Sequence, residues 1–273
     1  MSKEPLRKIA EGREAQIYAW EDGAVLRLLR NPDGQRQIEW ERTAMEAARA
    51  AGVSVPAVLG VTEALGRPGL IMERAEGVDL LTQVGQRPWA IFRVGPLAGE
   101  LHAALHAVAA PENLPPLKHV LRGRIERSGR VPEHLIPPAL SALDSLPEGD
   151  RLCHGDFHPG NIIANGRPVI IDWTNVTRGD PDADVARTNL MHRMGSLPPG
   201  TPLTLRVGAL FGRNLMRVLY LRAYRRIRPV DMKAVGRWEV PVAAARLGDG
   251  IAEERPALLK LLERRLAETR PAS

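Results

Sequence analysis

Leu152-Cys153-His154-Gly155-Asp156-Phe157-His158-Pro159-Gly160-Asn161, followed a short interval later by Ile170-Ile171-Asp172-Trp173, is the densest run of reactive side chains in this 273-residue sequence. Asp156 and Asp172 supply carboxylates, His154 and His158 imidazoles, and Asn161 an amide. Pro159 and Gly160 keep the run out of a helix. Residues 161–164 and 168–172 read as two strands around Asn165-Gly166, a dipeptide suited to a type I′ turn, so a hairpin forms a rigid platform behind the loop. Asp172 closes the apolar strand Val169-Ile170-Ile171. A buried strand has no use for a carboxylate there unless something charged faces it.

Two chemistries fit these residues. In phosphoryl transfer, Asp156 accepts or orients the proton of an incoming hydroxyl, while Asn161 and Asp172 offer hard oxygens to Mg²⁺ against nucleotide phosphates. The spacing follows the His-x-Asp-x-x-x-x-Asn pattern of a kinase catalytic loop with a later strand-borne Asp. A transition-metal hydrolase would instead use His154, Asp156 and His158 as ligands. That site needs further ligands and leaves Asn161 and the hairpin without a role. The plainest alternative is a polar loop whose histidines cap backbone groups. A spacing match in several parts favours phosphoryl transfer over both.

Toward the N-terminus, residues 16–20 and 24–29 read as strands joined by a turn at Glu21-Asp22-Gly23, and 34–51 as a helix stopped by Gly52. Residues 53–61 and 69–72 read as two further strands around Gly66-Arg67-Pro68-Gly69. On the helix, Ile38, Glu41, Met45 and Ala48 share one face, which sets a carboxylate in an apolar stripe where it needs a cation. Arg27 shares a strand face with Val25 and Leu29. Arg27 and Glu41 are therefore expected to pair, with Glu39 and Glu46 as competing partners for the arginine. Beyond residue 78 the pattern turns helical, over 89–108 (with a break or start at Pro96), 117–128, 137–145, 182–194, 203–225, 231–246 and 256–268. The expected architecture is α+β and two-lobed: 1–75 a small antiparallel sheet with one helix, 76–273 a larger, mainly helical lobe, the boundary near Glu73-Arg74-Ala75. His102 and His106 lack the intervening acid of a His-Glu-x-x-His site and read as helix-surface or interhelical polar groups. Cys153 reads as a buried small hydrophobe.

Composition narrows the field. Hydrophobic residues at 44% and charged residues at 26% are ordinary for a globular chain and exclude disorder. A single cysteine excludes a disulfide framework and Cys-rich metal sites. The charged start, Met1-Ser2-Lys3-Glu4-Pro5, has no apolar core of a leader, and no stretch approaches the ~20 apolar residues of a bilayer span, so a cytoplasmic protein with no membrane partner is expected. Net charge is +6; fifteen Lys/Arg against seven Asp/Glu beyond residue 200 make that region +8 and leave 1–199 at −2. That basic charge invites a nucleic-acid partner, but 4% aromatic residues and no helix-turn-helix or zinc-finger spacing argue against one.

His154-Gly-Asp156-Phe-His158-Pro-Gly-Asn161 with Ile171-Asp172-Trp173 resembles the aminoglycoside phosphotransferase and choline kinase-like family, which has a protein-kinase-like fold. The likeness runs through most of the chain and fades after about residue 200, where such enzymes carry their acceptor sites. It implies Asp156 as catalytic base and Asn161 and Asp172 as metal ligands. It also implies a hinge at 70–75 (Leu-Ile-Met-Glu-Arg-Ala) whose backbone at Glu73 and Ala75 holds adenine, and Arg27 with Glu41 as the pair that grips phosphates. Asp184, near the start of the helix after Gly179-Asp180-Pro181, is implied to support the loop rather than react. Two positions depart from the pattern. Arg27 stands where a lysine is usual, and Glu11-Gly12-Arg13-Glu14-Ala15 has one glycine in place of a glycine-rich loop. The expected function is transfer of the γ-phosphoryl group of ATP or GTP to a hydroxyl of a small molecule with Mg²⁺, the alternative being a catalytically weak kinase-like sensor of a nucleotide or metabolite. The +8 of the C-terminal region disfavours a polycationic aminoglycoside as acceptor and suits a neutral or anionic metabolite, unless Asp231, Glu239, Asp249, Glu253 and Glu254 cluster.

Overall fold

The structure of the protein, a computed structural model, describes residues 6–194 and 203–268. The charged start at 1–5 lies outside them.

Strand β3 (Ala24–Leu29) organises the N-terminal part: all six of its residues are buried, so its side chains do not alternate between wet and dry. It pairs antiparallel with β2 (Ala15–Ala19) on one side and β5 (Arg67–Glu73) on the other. With β1 (Lys8–Glu11) and β4 (Val58–Ala64) outermost, the sheet has the order β1-β2-β3-β5-β4. Its two faces differ. Leu26 and Leu28 join Tyr18 in a small apolar cluster, whereas Leu29 joins the main core with Ile38, Met45 and Ala48 of helix α1 (Gln35–Ala50). Arg27 lies on the α1 side.

Strand β1 escapes a reading of the sequence because all four of its residues are exposed and carry no periodic signal. Strand β4 starts at Val58 rather than 53. Residues 53–55 serve a different contact, since the Ser54 carbonyl accepts the Ile170 N–H at 2.9 Å. The turn expected at 66–69 lies at Leu65-Gly66, whose φ values of 53° and 67° give the left-handed pair that a two-residue hairpin requires.

The remainder is mainly helical. Strand β6 (Val78–Asp79) leads into α2 (Leu80–Gln86), whose first turn is capped by the Asp79 carboxylate accepting from Thr82 N at 2.8 Å. Helix α3 (Ile91–Leu105) carries Pro96 within it rather than breaking there; the ring faces the carbonyl of Phe92, at the exposed start of the helix. Helices α4 (Leu117–Arg127) and α5 (Ile136–Asp144) follow. Strand β7 (Arg151–Cys153) pairs with β10 (Thr177–Gly179), and β6 pairs with the hairpin β8 (Ile162–Asn165) and β9 (Arg167–Ile170). Then come α6 (Pro181–Met194) and α7 (Leu203–Ile227), the latter packed along α3. That packing is close: a Cβ on Gly99 would lie 2.3 Å from the Tyr220 carbonyl.

The single helix expected at 231–246 is two, α8 (Met232–Arg237) and α9 (Glu239–Leu247). Pro241 supplies the break, because it cannot donate to Arg237 four residues earlier and its ring crowds that carbonyl. Helix α10 (Arg255–Glu268) ends the described chain. No helix among the described residues is long and apolar enough to cross a membrane.

Candidate active site

A cleft of about 1990 Å³ is lined both by the sheet and by the helical part. Asp156 projects into it from the loop after β7. Its Oδ2 accepts from Asn161 Nδ2 at 3.3 Å and lies 3.7 Å from His158 Nε2; its Oδ1 lies 3.8 Å from Arg187 Nη2. Burial works to raise the Asp156 pKa, but His158 and the charge of Arg187 outweigh it and hold the carboxyl below its ordinary range. The group is thus an anion with a proton-accepting edge open to the cleft. Asn161 Nδ2 also donates to the Asp156 carbonyl at 2.9 Å, so both its bonds face Asp156 and its Oδ1 has no hydrogen-bond partner among the described residues.

His154 ties this loop to the strand end that carries Asp172. Its Nδ1 accepts from Asp156 N at 3.3 Å, which leaves the proton on Nε2 to be donated to the Ile171 carbonyl at 3.0 Å. Burial lowers its pKa and keeps the ring neutral. Both ring nitrogens are therefore spent, and His154, Asp156 and His158 form no shared metal site; the hydrolase alternative has no geometry behind it. Ile171 N donates to the Asn161 carbonyl at 2.9 Å, which pins Asp172 next to the loop. Asp172 itself has φ 61°, a conformation in which Asp and Asn are tolerated better than most side chains. Its side chain is 47% exposed, and its Oδ1 accepts from Thr174 Oγ1 at 2.5 Å. Asn161 Oδ1 and the Asp172 carboxylate are hard oxygens of the kind that suits a small divalent cation.

Arg27 and Glu41 meet as expected: Nη1 lies 3.2 Å from Glu41 Oε2, and Nη2 reaches the Thr174 hydroxyl and lies 3.7 Å from Asp172 Oδ1. The competitors are engaged elsewhere, since Glu39 and Glu46 both bind Arg42, at 2.8 and 3.0 Å. Glu41 is 1% exposed, and burial outweighs the attraction of Arg27 to push its pKa up to about 7. Between its ordinary value of 4.5 and about 7, the folded protein binds this proton more tightly than the unfolded chain does. Stability from this group is therefore present at low pH and lost as pH rises through about 7, by roughly 3 kcal/mol in all. Melting temperatures measured from pH 5 to pH 8 should fall less steeply in Glu41→Gln than in the wild type.

At the far side of the sheet, Glu73 closes β5. Its N–H donates to the Ala57 carbonyl at 2.8 Å, and its carboxylate accepts from Ala57 N at 3.2 Å. Ala75 lines the cleft, and its backbone makes no hydrogen bond to another described residue. The one-glycine loop also lines the cleft and reaches across it, Arg13 Nη1 donating to the Asp249 carbonyl at 3.0 Å.

Asp184 is fully buried below the loop and accepts from His154 N at 2.6 Å, Gly155 N at 3.1 Å, His102 Nε2 at 3.2 Å and His106 Nε2 at 3.4 Å. Tyr220 and Tyr224 hydroxyls, each 2.7 Å from the Nδ1 of His102 and His106, fix the tautomers that allow this. The two histidines are interhelical groups, not surface ones. Burial opposes the Asp184 charge, yet bonds from His102 and His106 hold its pKa well below the ordinary range. Asp184→Asn, which turns an NH₂ toward some of these donors, should cost about 3 kcal/mol or more in urea unfolding.

A family model described as the phosphotransferase enzyme family matches residues 5–230. The chain belongs to that family. No curated protein is similar enough in sequence to match it. Among solved structures, this phosphotransferase is similar to a thermostable mutant of aminoglycoside phosphotransferase APH(4)-Ia, with TM-score 0.66 and 18% identity over 98% of this chain and 96% of that one. It is similar also to APH(2″)-IIia in complex with GDP and kanamycin, at 0.60 and 17% over 99% and 95%. The macrolide 2′-phosphotransferase MphH of Brachybacterium faecium gives 0.55 and 20% over 98% and 93%. These likenesses establish the aminoglycoside phosphotransferase type of protein-kinase-like fold.

Within this phosphotransferase several cleft residues carry no motif signal. Thr174 follows Asp172 and Trp173 with nothing to mark it. Arg124, Arg187 and Arg246 come from separate helices and meet at Asp249 only in the fold. The suspected acidic cluster does not form: Glu239 binds Arg193 and Arg265, Asp231 caps α8 through Lys233 N at 2.9 Å, and Asp249 and Glu254 are engaged by arginines.

Proposed function

We propose that the protein transfers the γ-phosphoryl group of ATP or GTP to a hydroxyl of a small molecule in the presence of Mg²⁺. The observation that carries the proposal is the joint presence of Asp156, Asp172 and the Glu41-paired Arg27 on one cleft that extends to residues 73–75. That cleft exceeds the roughly 300–1,000 Å³ of a single-ligand site and has room for a nucleotide and an acceptor together. Ile17, Val25, Met72, Ile163 and Ile171 line its apolar end, where a purine would lie with its edge toward the backbone at Glu73 and Ala75. In this reading residues 1–75 form the nucleotide lobe and 76–273 the catalytic and acceptor lobe.

Asn161 Oδ1 and Asp172 would hold Mg²⁺, which when bound neutralises phosphate charge. Arg27, fixed by Glu41, would sit against the phosphates with a rigid fork where a lysine would present a point charge. Asp156 accepts the acceptor hydroxyl's proton as that oxygen bonds to the γ-phosphorus; the bond from phosphorus to the β–γ bridging oxygen breaks, and the nucleoside diphosphate leaves. Catalysis is then mostly positioning and charge neutralisation. A supply of nucleoside triphosphate carries a cytoplasmic location with it. The test is titration of the full chain with Mg·ATP and Mg·GTP. Saturable binding of at least one, weakened when Arg27 becomes Met, supports the reading, and binding of neither refutes it.

A further inference from the structure

Past Asp156 the cleft continues along α4, α6 and α9, and the charges there are unevenly matched. Asp249, just after α9, is met by three guanidinium groups: Arg187 Nη2 at 3.0 Å, Arg246 Nη1 at 3.5 Å and Arg124 Nη1 at 3.6 Å. Glu254 is occupied by two bonds from Arg246, at 2.6 and 2.8 Å. Asp156 itself has Arg187 3.8 Å away. Asp156, Asp249 and Glu254 are thus each already beside an arginine, and among the described residues Glu14, which also lines the cleft, accepts from Gln37 Nε2 at 3.4 Å.

Arginine is in surplus. The Arg187 side chain is 8% exposed and lines the cleft, yet its Nε and Nη1 are buried with no hydrogen-bond partner. Buried donors in native proteins are rarely left so. Arg127 and Arg213 line the same cleft without an ion pair among the described residues. The crowding of like charge is also felt by Arg124, whose pKa is lowered by burial and by Arg187.

We propose that the acceptor is a small alcohol bearing its own oxyanion, a carboxylate or a phosphate, which Arg187 and Arg127 hold so that the hydroxyl meets Asp156. The inference rests on the phosphotransferase reading above and gives it a substrate class. Charge-assisted bonds from arginine to oxyanions are the strong, orienting kind. The same surplus excludes a polycation by repulsion, which is specificity built against a competitor. In the transfer the acceptor oxygen gains the phosphoryl group, its proton passes to Asp156, and its oxyanion is unchanged.

The test uses the full chain saturated with Mg·ADP, so that the nucleotide's phosphate sites are filled, titrated calorimetrically with malonate, inorganic phosphate and kanamycin. Malonate or phosphate is expected to bind saturably, at least tenfold more weakly in Arg187→Met and at least threefold more weakly in Arg127→Met, with ADP affinity held within twofold. Arg127 is exposed, so its replacement keeps the test valid should Arg187→Met fail to fold. With Mg·ATP or Mg·GTP, hydroxy acids and sugar phosphates, assayed separately to tell carboxylate from phosphate, should drive diphosphate release at least tenfold faster than their neutral counterparts. Binding of neither anion, or release driven by kanamycin or neutral sugars instead, overturns the proposal. So does a loss of triphosphate but not diphosphate affinity in Arg187→Met with anion binding intact, which would assign that guanidinium to the γ-phosphoryl group. Failure of the wild type to bind ADP is a separate result that removes the phosphotransferase reading itself.

Discussion

Asp156→Asn is expected to lower phosphoryl transfer by about 10²–10⁴-fold, the contribution of a positioned general base, while nucleotide affinity stays near that of the wild type. The substitution preserves shape and keeps an oxygen for Asn161 Nδ2, 3.3 Å away, but removes the anion proposed to accept the hydroxyl proton. Because contacts with His158 and Arg187 hold the Asp156 pKa low, the wild-type base remains ionised across neutral pH. Its activity should therefore show no acid limb from Asp156 between pH 6 and 8. The pH profile of kcat, with the nucleotide dissociation constant measured alongside, separates this outcome from a general loss of structure.

The second large effect is at Asp172. Asp172→Asn should reduce turnover by about 10³-fold, the several kcal/mol that a bound cation contributes, and should raise the Mg²⁺ concentration giving half-maximal rate. Asparagine tolerates φ 61° as aspartate does, so the fold should be retained. Asp172→Ala should lose comparable activity and also about 1 kcal/mol of stability, because alanine has no polar side chain to compensate that backbone conformation. Thermal melts of the two variants beside Mg²⁺ titrations of their activity distinguish loss of the proposed metal ligand from loss of the backbone turn.

Much of this was legible because the informative residues lie close together in sequence. The run from His154 to Asn161 and Asp172 announces a loop on a hairpin, and the structure adds how His154 locks the two parts together. Arg27 and Glu41 were readable from periodicities of two and of 3.6, because a charge on an otherwise apolar face demands a partner. Strand β1 was not readable, since four exposed residues leave no pattern, and the break between α8 and α9 lay hidden in one proline. The arginines around Asp249 were invisible for a different reason. Arg124, Arg187 and Arg246 stand on three helices far apart in the chain, and each alone looks like one more charge on a basic, solvated face. Only the packing of α4, α6 and α9 shows that they converge beside Asp156.

The decisive measurement of phosphoryl transfer in this cleft is Mg²⁺-dependent release of ADP or GDP by the full chain, with each triphosphate and a pooled panel of hydroxyl-bearing acceptors, in the wild type, Asp156→Asn and Asp172→Asn. Panel-stimulated release by the wild type that is lost in both variants is the predicted result. Tight nucleotide binding with no release for any acceptor, as a sensor would give, or release that persists in both variants, would contradict it.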